Sequence, residues 1–257
     1  MSVLLMKGVE YDINNIRKNP NEKNFIFISY QQCTQYLSGL NLKPQDVARL
    51  IMLSTYVNYN GILMKNHKTP MSKNDMMEIV RESNTTRFNT LFQLLVEENV
   101  ILLDKGSGLI HLSTILFKMG GLDSNSKATR IFIDETRYLF QNIKTSDIKG
   151  FGYLILLLPW ISRSHNIICK NPNEEDIKKV VPLKVSELSN ILGIGNKSIF
   201  NLRVLLQGMS LKNKTPLIIS KTTEGNKFMN MIINPDIFYS GKSKGEGLEY
   251  TKALFMR

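Results

Sequence analysis

The sequence predicts an α+β chain, mainly helical, in which one plan of helices closed by a two-stranded hairpin is written twice in tandem. Three observations predict it. Short stretches of the two halves match in order at a constant separation of 112 positions, a breaker-rich segment divides the chain near its middle, and each half ends in apolar strands around a glycine-containing turn. The 257 residues, 42% apolar and 21% charged, suffice for two small domains.

Residues 1–24, ending in the polar run NIRKNPNEKN, read as an N-terminal extension. The first unit spans 25–120, MGGLDSNSKATR supplies a linker at 121–129, the second unit spans 130–241, and 242–257 form a basic C-terminal tail. Each unit opens on an alternating β-branched and aromatic stretch, FIFIS at 25–29 and RIFID at 130–134, which predicts a short strand. An apolar helix follows. In the first unit it begins at Pro44, a residue suited to the first helical position, and in the second Thr145 or Ser146 is the expected N-cap of a helix through FGYLILLLPWIS. That apolar run is shorter than the ~20 residues a membrane span requires, so it reads as a buried helix.

After a polar loop come two short amphipathic helices, PMSKNDMMEIV and VPLKVSELSNIL, in which Met76 matches Leu188 and Ile79 matches Ile191. The turns RESN and GIGN follow. Gly193 or Gly195 can take positive φ there, and Asn84 or Asn196 can cap the next helix. In that helix Asn84 aligns with Asn196, Thr86 with Ser198, Phe88 with Phe200, Asn89 with Asn201 and Leu94 with Leu206. Phe88, Leu91, Phe92 and Leu95 make an inward stripe in the first unit, and Phe200 and Val204 are expected to continue it in the second. The hairpins are VILLDKGSGLIHLS, with a Gly-Ser-Gly turn, and PLIISKTTEGNKFMNMIIN, with a Glu-Gly-Asn turn. Both units then close alike, on LFKMG at 116–120 and IFYSG at 237–241. Helix, short helix, turn, helix and hairpin is the plan of a winged helix-turn-helix, so the expectation is two such domains in tandem.

That plan carries a chemistry, because an α-helix fits the major groove of DNA and short polar side chains near its N-terminus reach base edges. The candidate base-reading residues are Thr85, Thr86, Arg87 and Asn89 in the first unit and Lys197, Ser198, Asn201 and Arg203 in the second. The hairpins add Lys105, Lys221 and Lys227 for phosphate contact. The chain carries 33 Lys and Arg against 22 Asp and Glu, a net charge of +11 that favours polyanionic partners. Residues 184–257 hold eleven basic against five acidic side chains, which favours the second unit as the DNA-contacting one.

Other chemistries find little support. Cys33 and Cys169 form no metal-binding spacing, and His67, His111 and His165 are dispersed. DIFYSGKS at 236–243 ends like a phosphate loop, but Asp236 occupies the place of that loop's first glycine. Nothing pairs a nucleophile with a base, so no catalytic activity, cofactor or metal is expected. No signal peptide is apparent, and the expected location is the cytoplasm.

LKVSELSNILGIGNKSIFNL followed by a hairpin and MIINPDIFYSG resembles the winged-helix replication proteins of Gram-positive plasmids and phages, the RepL type. In the first half the closing phrase reads STILFKMG and lacks the proline. The two-unit plan is also similar to iteron-binding plasmid initiators, in which one unit self-associates while the other grips DNA. These resemblances imply a sequence-specific duplex-DNA-binding protein that initiates replication at an origin and recruits replication machinery, with a homodimer as one assembly. A transcriptional regulator at a promoter and a winged-helix adaptor that binds proteins are the alternatives.

Overall fold

A computed structural model describes residues 24–29, 39–40, 42–120, 128–209, 215–221, 229–241 and 246–255. The chain is mixed α and β, with eight α-helices and eight strands among those residues. At its centre lies a four-stranded antiparallel sheet made by both halves: β1 (Phe25–Ser29), β4 (Phe117–Lys118), β5 (Ala128–Phe132) and β8 (Phe238–Tyr239), in the order β4-β1-β5-β8. The two opening strands pair with each other, Phe27 facing Arg130 at the middle of the register. Each closing strand pairs with the opening strand of its own half. Exchanging β1 for β5 and β4 for β8 leaves this order unchanged when read from the other edge, so the strand order of the sheet is symmetric about the β1–β5 pair. Strand alternation sets the two faces: Ile26, Ile28 and Ile131 are buried, while Phe25 and Phe27 flank the Arg130 guanidinium, 5.5 and 5.7 Å from their ring centroids.

The helices α1 (Pro44–Ser54) and α5 (Ile148–Leu156) are the apolar helices expected from the sequence, and they pack against each other. Pro44 stands at the start of α1 as expected. In the second half neither Thr145 nor Ser146 is the cap. A 3-10 turn, Thr145–Asp147, leads directly into α5, and the apolar run ends in a second 3-10 turn at Leu158–Trp160, where Pro159 lacks the N–H a helix would need. Gly152 of α5 lies so close to α1 that an added Cβ would sit 1.7 Å from the Pro44 carbonyl oxygen. One contiguous core spans both halves, with Phe117, Phe140, Phe151 and Phe238 fully enclosed and the Phe151 and Phe238 rings stacked at 6.1 Å.

The second opening strand differs from expectation in extent. It runs over 128–132, beginning inside the expected linker, and Ile133–Asn142 is a helix, α4, that the sequence plan lacked. Ile133, Thr136 and Phe140 at i, i+3 and i+7 form its buried face, and Asp134 and Glu135 suit the positive end of its dipole. Two arginines then tie the halves together. Arg137 of α4 donates to the Thr55 carbonyl at the end of α1 (2.5 Å) and covers the Tyr56 ring at 3.7 Å. Arg81 donates to the Phe140 and Ile143 carbonyls at the end of α4 (2.7 and 2.8 Å). Both satisfy carbonyls that a helix end leaves without partners.

The remaining elements repeat in each half: α2 (Lys73–Ile79), α3 (Thr85–Glu97), β2 (Ile101–Leu103) and β3 (Ile110–Leu112), then α6 (Val185–Leu192), α7 (Asn196–Gly208), β6 (Leu217–Lys221) and β7 (Met229–Ile233). The repetition extends to single bonds. Leu63 donates to Ile110 and Leu112 to Gly61, while Ile168 donates to Met231 and Ile233 to Asn166, so each hairpin gains a third extended segment on the same edge. Lys65 meets Asp75 at 2.6 Å at the start of α2, and Lys170 meets Glu187 at 2.5 Å at the start of α6. The closing phrase repeats as well. Ser113 and Asn234 each accept two backbone N–H groups of the turn that leads into β4 or β8, and the Asn234 side chain adds bonds to the Asp236 N–H and the Thr215 carbonyl. The Asn-Pro phrase is therefore a buried turn supporting the central sheet.

The segment expected as a basic tail contains a helix, α8 (Glu246–Leu254). Phe255 after it is buried with Ile232 of the second hairpin and with Ile167 and Cys169 of the extended segment beside it. No helix among the described residues is long and apolar enough to cross a membrane.

Candidate nucleic-acid interface

The candidate surface consists of the outward faces of α3 and α7, each preceded by a short helix. In the first half Ser72 and Asp75 form a reciprocal cap on α2, and the Asn84 side chain accepts the Arg87 N–H at 2.9 Å, so Asn84 caps α3 as expected. In the second half Gly193 takes φ +62°, and the residue capping α7 is Gly195; Asn196 is the first helical residue and not the cap.

This one-residue difference changes the alignment. Ser72 to Arg81 correspond to Lys184 to Gly193 at 112 positions, and Arg81, like Gly193, is left-handed, at φ 55°. The turn after Gly193 is one residue shorter, so α3 and α7 correspond at 111 positions. Buried Phe88, Leu91 and Leu95 thus match buried Ile199, Leu202 and Leu206. Phe200 and Val204, expected in the inward stripe, are instead 59% and 56% exposed. Ile199, Leu202, Leu206 and Met209 recur at three and four residues in the sequence itself, and that longer periodicity identifies the buried face.

On α3 the exposed residues include Thr85, Thr86, Asn89, Thr90 and Gln93, a polar face of hydroxyls and amides. Arg87 is there too, but its guanidinium is committed in part to the protein: it lies 3.4 Å from Glu82 and 3.7 Å from Asp46. The same two carboxylates hold buried Arg49, at 2.7 and 2.8 Å. This cluster locks the start of α3 to α1. Only the Asp46 and Arg49 spacing was visible locally; Glu82 and Arg87 join through the fold. Lys105 is exposed in the first hairpin turn, where Asp104 accepts the Gly106 N–H and the Ser107 hydroxyl and its carboxyl is held below the usual range.

On α7 Lys197, Ser198 and Asn201 are exposed, as expected. Arg203 is half-buried, at the position corresponding to core residue Phe92, with its Nε enclosed. Its expected place in the outward set is corrected by the 111-residue correspondence. Lys197, Phe200, Asn201 and Val204 fall at i, i+3, i+4 and i+7 and make one exposed stripe. Lys221 ends β6 opposite Met229. Lys227 and the Glu-Gly-Asn turn lie outside the described residues.

The two helix-and-hairpin segments differ in the charge their sequences carry. Residues 81–120 carry four basic and four acidic side chains, and the equivalent residues 193–241 carry six and two. Comparison of the chain with protein-family models, curated proteins and solved structures gave no match.

Proposed function

We propose that each half is a winged helix-turn-helix unit and that the protein binds duplex DNA sequence-specifically, with α3 and α7 as recognition helices and the hairpins as wings. The observation that carries this reading is the pair of equivalent, solvent-facing helices, each preceded by a short capped helix and followed by a hairpin. Hydroxyl, amide and ammonium groups lie on their outward faces. Asn89, Gln93 and Asn201 have the side-chain amides that pair with adenine in the major groove, and Lys197 can meet a phosphate or guanine. The six-to-two charge excess in the sequence 193–241, which includes α7, supports it as the stronger anchor. Arg87 and Arg203 take lesser parts, because the first is shared with Glu82 and Asp46 and the second is half-buried.

The role proposed for this binding is initiation of replication at an origin, with regulation of transcription as the alternative use of the same surface. Selection of bound duplexes from a pool holding random sequence and the protein's own replicon separates them: clustered repeats from an origin support the first, a promoter operator the second. On the selected duplex, log K should fall linearly with log salt, and Lys197→Ala should reduce the slope by about 0.9, one phosphate's share. Absence of selected sequence together with salt-independent binding would refute the reading. The one observation favouring a protein-binding adaptor is the exposure of Phe200 and Val204.

A further inference from the structure

Phe200 and Val204 are two large apolar side chains in an otherwise polar stripe, one helical turn apart, and neither is needed by the core. Isolated exposed apolar residues are ordinary, but these two share a stripe with Lys197 and Asn201. The equivalent positions of α3 are Asn89 and Gln93, so the two helices present different chemistry from the same place in the fold.

We propose that Phe200 and Val204 are specificity-determining residues that read thymine, their side chains packing on the 5-methyl groups of two thymines in the major groove. This rests on the duplex-binding reading above. The thymine methyl is the apolar feature the major groove presents, and an aromatic or aliphatic side chain is its complement. Residues one turn apart on a helix face lie about 6 Å from each other. At a rise of ~3.4 Å per base pair they reach thymines one or two steps apart. Charge complementarity selects DNA as the occupant. The cores of protein interfaces are depleted of charge, whereas this pair shares its stripe with Lys197 and Asn201 in a segment, 193–241, whose sequence holds six basic and two acidic residues. The first helix, carrying amides at the matching positions, reads a different base pattern, so the two halves recognise unlike half-sites despite their repeated plan.

The test begins with duplexes selected by the wild-type protein. Each thymine of the recovered site is replaced in turn by deoxyuridine, which removes only the methyl group, and affinity is measured by fluorescence anisotropy for the wild type, Phe200→Ala and Val204→Ala. The wild type should lose roughly fourfold at each of two thymines, the ratio expected for one buried methyl-sized group. Phe200→Ala should abolish the sensitivity at one of them and Val204→Ala at the other. Both side chains are exposed, so the variants should keep the wild-type circular dichroism and unfolding midpoint. Sequence-selective binding in which every deoxyuridine duplex equals its thymine parent would overturn the thymine assignment and leave duplex binding standing. Failure to bind any duplex selectively would remove both. If the variants bind DNA unchanged but convert a sedimenting dimer into a monomer, the pair is a contact between copies of the chain and the proposal fails.

Discussion

Replacing Gly152 by alanine should weaken the joint between the halves, although alanine is the better helix former. An ideal Cβ at this position would stand 1.7 Å from the Pro44 carbonyl oxygen and 2.3 Å from its carbon, where ordinary contact begins at 3.4 Å. The obstacle is backbone at the first turn of α1, which no rotamer change can move aside, so α1 and α5 must separate by more than an ångström. Overpacking of this kind costs about 1–3 kcal/mol and occasionally more. The intrinsic gain from glycine to alanine within a helix is about 1 kcal/mol. With backbone as the obstacle the upper part of the range applies, leaving a net loss of about 2 kcal/mol and a melting temperature lower by roughly 4–8 °C for a chain of this size. Gly208→Ala in α7 is the control: among the described residues nothing lies within 4 Å of its added Cβ, so this change should raise stability by a few tenths to ~1 kcal/mol. Urea unfolding followed by circular dichroism measures both. If Gly152→Ala unfolds at or above the wild-type midpoint, the inferred approach of the two helices is wrong.

Arg49→Ala would leave the largely buried Asp46 and Glu82 carboxylates facing each other, with only the half-exposed Arg87 near, and should cost about 3 kcal/mol in urea unfolding at pH 7. A loss below ~1 kcal/mol would mean the cluster is not holding α3 to α1. Glu187 is kept below the usual carboxylate range by the Lys170 ammonium and then by the Lys184 N–H, so its charged form belongs to the folded state. A depressed folded value means its contribution is complete above the unfolded value of ~4.3 and is lost as pH falls through the folded one. The urea midpoint of the wild type should therefore exceed that of Glu187→Gln at pH 6, and the gap should close as pH is lowered from 5 toward 3. A gap constant with pH would assign the difference to shape and not to charge.

How much of this was legible in the chain follows from the range over which each interaction acts. Local periodicity and capping located α1, α2, α3, the hairpins and the Asn84 cap, because helix faces and N-caps are decided within a few residues. The same sequence carried the buried face of α7 in the spacing of Ile199, Leu202, Leu206 and Met209. A fixed separation of 112 positions hides that face, because the turn before α7 is one residue shorter. The tandem repetition was likewise written in the chain, down to the closing LFKMG and IFYSG phrases.

The tertiary structure decided what joins the repeats. Pairing of β1 with β5 matches residues about a hundred positions apart, and nothing in FIFIS states whether its free edge will meet its own half or the other. The close approach that requires Gly152, the burial of Glu82 beside Arg49 and Arg87, and the capping of one half's helices by Arg81 and Arg137 of the other arise only once the two cores merge. The sequence by itself determined one plan of helices and a hairpin written in both halves, and an excess of positive charge in the second. The fold determined which side chains those helices have left to offer a partner, because burial and ion pairing are properties of neighbours that the chain brings together only in three dimensions.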